Sequence, residues 1–338
     1  MAASPNDQQR RRRPRGGANP MSIMRKPNLR RALALALMPI AAVALPAAAA
    51  DDQKKPDNEL VIGMSFQELN NPYFVTMQKA LQKQVDKMGA KLIVTDAHHD
   101  IAKQTSDVED MIQRGVDVLL LNPTDTVGIQ SAVVSAHSAG IPTVAVDAQA
   151  DGPVSGFVGS KNFKAGYLAC QYLAKSLNGK GQVAILNGIP VTPILQRVKG
   201  CKKALGEADS IKIVDEQNGH QERDTAMNVT ENMLQAHPDL DGLFSVNDGG
   251  TLGALVALQS SQNHVKLATI DGIPEVIKAM QKPDTPIVVD VAQHPDVEVV
   301  KALQLALKKY RGEKSPDEIP VDVTPVTPEN AAGFHWGS

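Results

Sequence analysis

Short apolar runs in this sequence end, one after another, in a side chain that can hydrogen-bond a hydroxyl group. A carboxylate such as that of Asp147 or Asp271 accepts two hydroxyl hydrogens through strong, directional bonds, and an amide offers both a donor and an acceptor. These residue types are typical of sites that recognise sugars and polyols. The residues that end the runs are Ser65, Asp96, Asn122, Asp147, Asn187, Gln217, Asn247, Asp271 and Gln293.

The apolar runs are predicted to be β-strands because stretches with helical periodicity separate them. Phe74, Met77, Leu81, Val85 and Met88 recur at spacings of three and four residues, which indicates a helix that buries one face. Continuous apolar strands alternating with such helices predict a parallel sheet covered on both sides. Ligands of open parallel sheets bind beyond the carboxyl ends of the strands, where these polar side chains lie. The predicted strands are Leu60–Phe66, Lys91–Asp96, Asp117–Asn122, Thr143–Asp147, Gln182–Asn187, Ile211–Gln217, Gly242–Asn247, Lys266–Asp271 and Ile287–Gln293.

A simpler interpretation of each strand-end residue is that it caps the next helix. Asn, Asp and Ser are preferred N-cap residues, so for any one of them capping is the better explanation. A polar binding site explains the set better, because these residues recur at the strand ends of two halves that would face one cleft.

The alternation of strands and helices restarts after a break rich in small residues, Ala148–Gly159. This repeat predicts a bilobal α/β protein with two doubly wound, parallel-sheet halves. The last helix is expected at about Pro295–Tyr310, and the segment Pro320–Val326 is a candidate crossing between the lobes.

No catalytic motif competes with a binding function. The chain lacks GxSxG, HExxH and GxxxxGK[ST], and it has no GxGxxG after the first strand. Asp147 and Asp271 could form the carboxylate pair of a glycosidase, but their setting among amides and an arginine favours binding over proton transfer. An exported sugar-processing enzyme is therefore a minor alternative, and no cofactor or metal is expected.

Residues 1–50 have the features of an export signal. They hold nine of the 35 basic residues of the chain and one of its 37 acidic residues. The remainder of the chain therefore carries a net charge of −10, which argues against nucleic-acid binding. Basic residues precede an uncharged run, Ala32–Ala50, which ends in small residues and is too short and too proline-interrupted to span a membrane. We expect cleavage near Ala50, a true start at Met21 or Met24, and no lipid anchor because no Cys stands directly after the cleavage site.

Cys170 and Cys201 are the only cysteines, and both lie on predicted helices. An exported protein with two cysteines is able to pair them, and a bridge across this length of chain would add about 3–4 kcal/mol. Two separate buried thiols are the alternative. A zinc site is not expected, because no close Cys or His pair has the required spacing.

Several motifs, in order and spacing, resemble those of type I periplasmic sugar-binding proteins, and the ribose-binding group most of all. The resemblance spans residues 60–326 and rests on Leu69–Phe74 (LNNPYF), Leu119–Asp125 (LLLNPTD), Val144–Asp147 (VAVD), Gln196–Cys201 (QRVKGC), Ser245–Leu255 (SVNDGGTLGAL), Thr269–Glu275 (TIDGIPE) and Val289–Pro295 (VDVAQHP).

The resemblance implies two Rossmann-like lobes that three crossover segments join and that close on a sugar. It places one lobe at 60–160 with 294–322 and the other at 161–293 with 323–338. By matching position, the ligand-facing residues would be Asn71, Tyr73, Phe74, Asn122 and Asp147 from the first lobe, and Arg197, Asn247, Asp271 and Gln293 from the second.

Two positions depart from the ribose-binding pattern. Ala148 stands where ribose binders carry an arginine, and Gln221 stands at about the place of an aromatic residue that covers the sugar. Tyr73 and Phe74 offer flat apolar surfaces to a sugar ring, although Phe74 also falls on the core-facing stripe of its helix. Two carboxylates opposite one arginine, Arg197, favour a neutral polyhydroxylated ligand over an anion.

The resemblance implies a periplasmic solute-binding protein that delivers a sugar or polyol to an ABC permease with its ATPase, as a monomer and without catalysis. A sensor of a sugar or a furanosyl signal that acts on a chemoreceptor or histidine kinase is the main alternative. A transcriptional repressor shares this fold, but the predicted signal peptide occupies the place of its DNA-binding domain.

Overall fold

Twelve strands form the framework of the part of the chain that the structure describes. The structure is a computed structural model, and it describes residues 54–261 and 264–336. The predicted export signal lies outside these residues. The strands are β1 (Val61–Phe66), β2 (Lys91–Asp96), β3 (Val118–Leu121), β4 (Thr143–Val146), β5 (Gly156–Ser160), β6 (Lys180–Asn187), β7 (Ser210–Asn218), β8 (Gly242–Ser245), β9 (Lys266–Asp271), β10 (Ile287–Ala292), β11 (Glu318–Val321) and β12 (Thr324–Val326).

Nine helices of two turns or more connect these strands in the described residues. The helices are α1 (Pro72–Met88), α2 (Ile101–Gln113), α3 (Gln130–Ser138), α4 (Asn162–Ser176), α5 (Thr192–Leu205), α6 (Arg223–Ala236), α7 (Asp248–Ser260), α8 (Pro274–Met280) and α9 (Pro295–Tyr310), with short 3-10 helices at Asp57–Glu59 and Ala331–Gly333.

The strands pair into two six-stranded sheets. The first has the order β11-β5-β4-β3-β1-β2 and the second β12-β10-β9-β8-β6-β7. Neighbouring strands are parallel throughout, except for the antiparallel pair β10 and β12. The two doubly wound sheets confirm the fold class predicted from the alternation of strands and helices.

Each sheet carries apolar helices on both faces. In the first, α1 and α9 pack on one face, and α2 and α3 on the other. In the second, α4 and α5 cover one face, while α6, α7 and α8 cover the opposite one. We call each sheet with its helices a lobe. Two-sided coverage explains why the strands are apolar along their whole length.

The chain passes between the lobes three times: after β5, after β10, and between β11 and β12. The last passage lies within the segment Pro320–Val326 that the sequence singled out. Helix α9 begins and ends where it was predicted, at Pro295 and Tyr310. The lobe boundaries at 160, 293 and 322 stay predictions.

Strand β5 was missed, because the sequence there was interpreted as a break. Its glycines explain why the strand is not recognisable as an apolar run. A Cβ atom at Gly156 would lie 2.7 Å from the Leu305 side chain of α9, and one at Gly159 would lie 3.1 Å from the carbonyl oxygen of Asp147. Close packing against α9 therefore favours a small residue at Gly156, and close packing against the end of β4 favours one at Gly159.

Candidate functional site

The two carboxylates of the predicted site lie at the carboxyl ends of β4 and β9. Asp147 directly follows β4, and Asp271 is the last residue of β9. Both are almost fully buried, with exposed fractions of 7% and 6%. Both also have positive φ angles, 65° for Asp147 and 139° for Asp271. Residues other than glycine are strained in such conformations, and this strain is characteristic of functional sites.

Arg197 of α5 occupies the centre of the half-site in the second lobe. Its side chain is 4% exposed, and its Nη1 donates to Asp271 Oδ1 at 3.0 Å and to the Val246 carbonyl oxygen at 2.9 Å. Its Nε donates to Asn162 Oδ1 at 2.9 Å. Gln293 Nε2 also donates to Asp271 Oδ1, at 2.8 Å. The guanidinium group is thus held rigidly against a buried carboxylate.

The first lobe contributes an amide and a phenol around Asp147. Asn122 Nδ2 donates to Asp147 Oδ2 at 3.2 Å and to the Val146 carbonyl oxygen at the same distance. The Tyr73 hydroxyl lies 3.5 Å from Asp147 Oδ1 and donates to Glu298 Oε2 at 3.0 Å. Asp147 Oδ2 therefore accepts a hydrogen bond from an amide of its own lobe, and Oδ1 lies next to the Tyr73 hydroxyl oxygen.

The charges of the two half-sites act on one another. Burial raises the pKa of Asp147 to about 6, the positive charge of Arg197 opposes this rise, and the negative charge of Asp271 adds to it. Burial likewise raises the pKa of Asp271, while Arg197 lowers it. One guanidinium group thus stabilises carboxylates from both lobes, and the site as a whole is suited to a neutral ligand rich in hydroxyl groups.

Asn71, Asn247 and Gln221 make local bonds. Asn71 is the N-cap of α1, and its Oδ1 accepts from the Tyr73 backbone N–H. Asn247 is the N-cap of α7, and its Nδ2 donates to the carbonyl oxygen of Gln221. Gln221 itself accepts a bond from the Ile189 backbone N–H. The capping interpretation thus accounts for both asparagines, and contact of these three residues with a ligand stays a prediction.

Phe74 lies in the apolar core of the first lobe, with its ring centroid 6.2 Å from that of Phe66. Its ring also meets that of Tyr73 edge to face, at 5.2 Å. The structure therefore favours the second of the two interpretations of Phe74, a place on the core-facing stripe of α1. The hydroxyl of Tyr73, in contrast, reaches the carboxyl groups of Asp147 and Glu298.

A cavity of about 380 Å³ opens beside Asp147. It overlaps the predicted site only at this residue, and it extends along the start of α4, the start of α5 and strand β11. Its lining consists of Asp147, Gln149, Phe157, Ser160, Lys161, Asn162, Phe163, Lys164, Thr192, Pro193, Gln196, Glu318 and Pro320.

Sequence reasoning missed Glu298, a fully buried carboxyl group on α9. Its two oxygens accept hydrogen bonds from the hydroxyl groups of Ser160 and Tyr73. Burial and the nearby charge of Asp147 raise the pKa of Glu298 to about 8. The sequence contains a pattern that predicts this burial, because Glu298 falls on the same face of α9 as the buried Pro295 and Ala302.

Two further buried carboxyl groups, those of Asp248 and Asp290, lie behind Asp271. Asp248 Oδ2 accepts from the backbone N–H groups of Gly272 and Ile273, at 3.0 and 2.8 Å, and so fixes the turn that follows Asp271. Burial raises the pKa of Asp290 to about 7, and neither of its side-chain oxygens has a hydrogen-bond partner among the described residues. Burial, together with the negative charge of Asp290, also raises the pKa of Asp248.

A disulfide joins Cys170 of α4 to Cys201 of α5, with Cα atoms 4.9 Å apart. Cys201 lies one helical turn after Arg197, so the bridge fixes the helix that carries the central guanidinium group. Among the residues described, no cluster of three or more His, Cys, Asp or Glu side chains is arranged to hold a metal ion. Within the same ranges, the helices are either too short or too polar to cross a bilayer.

Comparison with known proteins places this geometry in a family. Residues 62–314 match the model of the periplasmic binding protein domain. The ribose import binding protein of Bacillus subtilis is 38% identical over 72% of this chain and 81% of its own length. The ribose import binding protein of Escherichia coli is 35% identical over 84% of this chain and 95% of its own length.

A solved structure gives the same result. The periplasmic solute-binding protein of an ABC transporter from Actinobacillus succinogenes, with bound D-allose, superimposes with a TM-score of 0.77. It is 31% identical, and the alignment covers 82% of this chain and all of the other. The match to the family model and the two ribose import proteins show that this chain belongs to the periplasmic binding protein family, in the group that contains the ribose import binding proteins.

Proposed function

We propose that the protein binds a neutral sugar or polyol between its lobes and serves as the solute-binding component of an ABC importer. The observation that carries this proposal is the buried cluster of Asp147, Arg197 and Asp271, to which both lobes contribute. Amide groups of Asn122 and Gln293 surround it. Such a set offers charged acceptors, a forked donor and amides to a ligand with several hydroxyl groups.

The relatives support this ligand class. Two are ribose import binding proteins, and a third was solved with D-allose. The charges of the cluster support a neutral ligand, because an anionic ligand would meet two carboxylates and a single guanidinium group.

The binding step proposed here involves no covalent chemistry. Ligand enters while the lobes are apart, contacts Asp147 on one side and Asp271 on the other, and stabilises the state in which both contacts exist. We expect the closed lobes to present the surface that an ABC permease and its ATPase recognise. Export by a cleaved signal peptide within residues 1–50 would deliver the protein to the periplasm.

The test is a binding screen on the protein purified after export, then unfolded and refolded to release any ligand carried through purification. Pentoses, hexoses, inositols, linear polyols and amino acids are each added, and the melting temperature is measured. A compound present at 100 times its Kd stabilises the folded state by about 2.7 kcal/mol, which raises the melting temperature by several degrees. Calorimetric titration of each hit then gives its Kd.

A strong shift from one or a few neutral polyhydroxyl compounds is the expected outcome. Shifts from amino acids or anions alone would overturn the assignment of the pocket. Release of a changed product from a bound sugar would favour the enzyme alternative over the binding protein.

A further inference from the structure

The segment Ala331–Trp336, which we call the C-terminal strap, follows the last strand and is anchored to the second lobe. Ala331 is fully buried, and its carbonyl oxygen accepts a bond from Gln281 Nε2 at 3.4 Å. Phe334 packs against the core of the second lobe, close to the turn at Gly272 that follows Asp271. The strap is therefore fixed next to the candidate site.

The tip of the strap reaches the first lobe through Trp336. Its indole ring meets the Tyr73 ring edge to face, with centroids 5.8 Å apart and planes at 65°. Its Nε1 donates to the carbonyl oxygen of Gln293 at 3.1 Å. The indole also packs against the apolar cores of both lobes. Trp336 thus contacts one predicted ligand residue on each side of the site.

Both contacts of Trp336 act on groups that orient the carboxylates. The hydroxyl of Tyr73 reaches Asp147 and Glu298, and the side chain of Gln293 bonds to Asp271. A change in the position of the indole would therefore move the partners of both acids together.

We propose that Trp336 is a positioning and specificity-determining residue, which holds the Tyr73 ring and the Gln293 backbone in place for ligand binding. This inference rests on the proposed function. A fixed Tyr73 face favours cyclic sugars, which present a flat C–H surface, over linear polyols, which do not.

The contact itself is tested without any ligand, by a double-mutant cycle. The free energy of unfolding in urea is measured for the wild type, Trp336→Ala, Tyr73→Leu and the double variant. Aromatic pairs of this geometry have a measurable coupling energy, so the double variant should lose less stability than the sum of the two single losses. A cycle of Trp336→Ala with Tyr172→Leu is the control and should be additive, because Tyr172 packs in a different core cluster, with α4 and α5.

The positioning role is tested with four probes, D-ribose, D-allose, myo-inositol and xylitol, titrated into the wild type, Trp336→Phe and Trp336→Ala. Trp336→Ala should raise the Kd of cyclic probes about two- to tenfold, the range that aromatic pair energies give, and change that of xylitol less. Trp336→Phe keeps a ring without the Nε1 donor and should recover part of the affinity. A loss of stability alone would weaken all probes equally.

Fluorescence provides an independent readout, because Trp336 is the only tryptophan in the chain. Emission of the wild type should shift when a cyclic probe binds. The inference would be overturned if the stability losses of Trp336→Ala and Tyr73→Leu simply add in the double variant. Equal Kd values for the wild type and Trp336→Ala would overturn it as well. If the wild type binds none of the four probes and nothing in the wider screen, the proposed function fails and the role of Trp336 in binding fails with it, even where the cycle shows coupling.

Discussion

Arg197 is the residue on which the candidate site depends most. It is buried with Asp271, and removal of one partner from a buried ion pair leaves the other charge uncompensated. We expect Arg197→Met to lower the free energy of unfolding by about 3–5 kcal/mol at neutral pH and to abolish sugar binding. The loss should be smaller at pH 5, because burial raises the pKa of Asp271 and removal of Arg197 raises it further, so that acid neutralises more of the uncompensated charge. Urea unfolding at the two pH values measures both effects.

The matched control is Arg114→Met. Arg114 pairs with Asp110 on the exposed face of α2, where ion pairs contribute little. This variant should differ from the wild type by less than about 1 kcal/mol at either pH. An Arg197→Met protein as stable as the Arg114→Met protein would show that the buried pair does not hold the site together.

Glu298 should make stability depend on pH in the direction opposite to an ion-paired acid. Its pKa rises from 4.5 to about 8 in the folded protein, so the folded state retains a proton that the unfolded state releases. The stabilisation is complete below about pH 4.5 and is lost as pH rises through about 8. Glu298→Gln cannot ionise, and we expect its stability to fall less than that of the wild type between pH 5 and 8.

Part of the remaining fall in stability of Glu298→Gln with rising pH should come from Asp147 and Asp290, whose pKa values are raised to about 6 and about 7, and part from Asp248 and Asp271, whose pKa values are also raised. Exposed Glu313→Gln is the control and should follow the wild-type curve. The measurement is the melting temperature or urea midpoint across this pH range. Identical curves for the wild type and Glu298→Gln would mean that Glu298 is already ionised in the folded protein.

At the scale of elements, the crossing of α4 and α5 decides where Arg197 lies. A Cβ atom at Gly166 would lie 1.9 Å from the Arg197 carbonyl oxygen, and one at Gly200 would lie 2.1 Å from that of Phe163. The two helices therefore touch backbone to backbone, and the Cys170–Cys201 bridge joins them near the same crossing.

Gly166→Ala should force these helices apart and displace Arg197. We expect a loss of about 1–3 kcal/mol, typical of overpacking, together with weaker sugar binding. Gly206→Ala is the matched control, because Gly206 ends α5 with a helical φ of −70° and a Cβ atom there would lie 3.1 Å from the nearest atom, the Lys202 carbonyl oxygen one turn earlier, in place of the 1.9 Å at Gly166. That variant should change stability by less than about 1 kcal/mol and leave the Kd unchanged. Equal behaviour of the two variants in unfolding and titration would contradict this account of the crossing.

Residue patterns predicted some elements and missed others for physical reasons. Helix α9 was predicted from end to end because its apolar spacing is regular, whereas β5 was missed because close packing replaces its apolar side chains with glycine. Asp147 and Asp271 could be placed from sequence, since carboxyl ends of parallel strands share one edge of a sheet. The contact of Trp336 with Tyr73 depends on how two segments far apart in the sequence pack together, and a local residue pattern does not predict such packing.

At the scale of the whole molecule, the three passages of the chain between the lobes suggest a hinge. The position of the site between the lobes suggests that ligand binding closes this hinge. A ligand that bonds Asp147 in the first lobe and Asp271 in the second gains both sets of bonds only when the lobes are close. We therefore expect small-angle X-ray scattering to give a smaller radius of gyration at saturating sugar than without it. A sugar from the same screen that does not bind is the control and should leave the scattering unchanged.

The variant Asp271→Ala separates binding from closure. It keeps the Asp147 half of the site, so a ligand that still binds at high concentration lacks one of its contacts to the second lobe, and the closed state is favoured less. At a sugar concentration that calorimetry shows to be saturating, this variant should compact less than the wild type. If the wild type itself binds sugar without any change in scattering, the two half-sites are already together before the ligand arrives, and hinge closure is not the step that selects it.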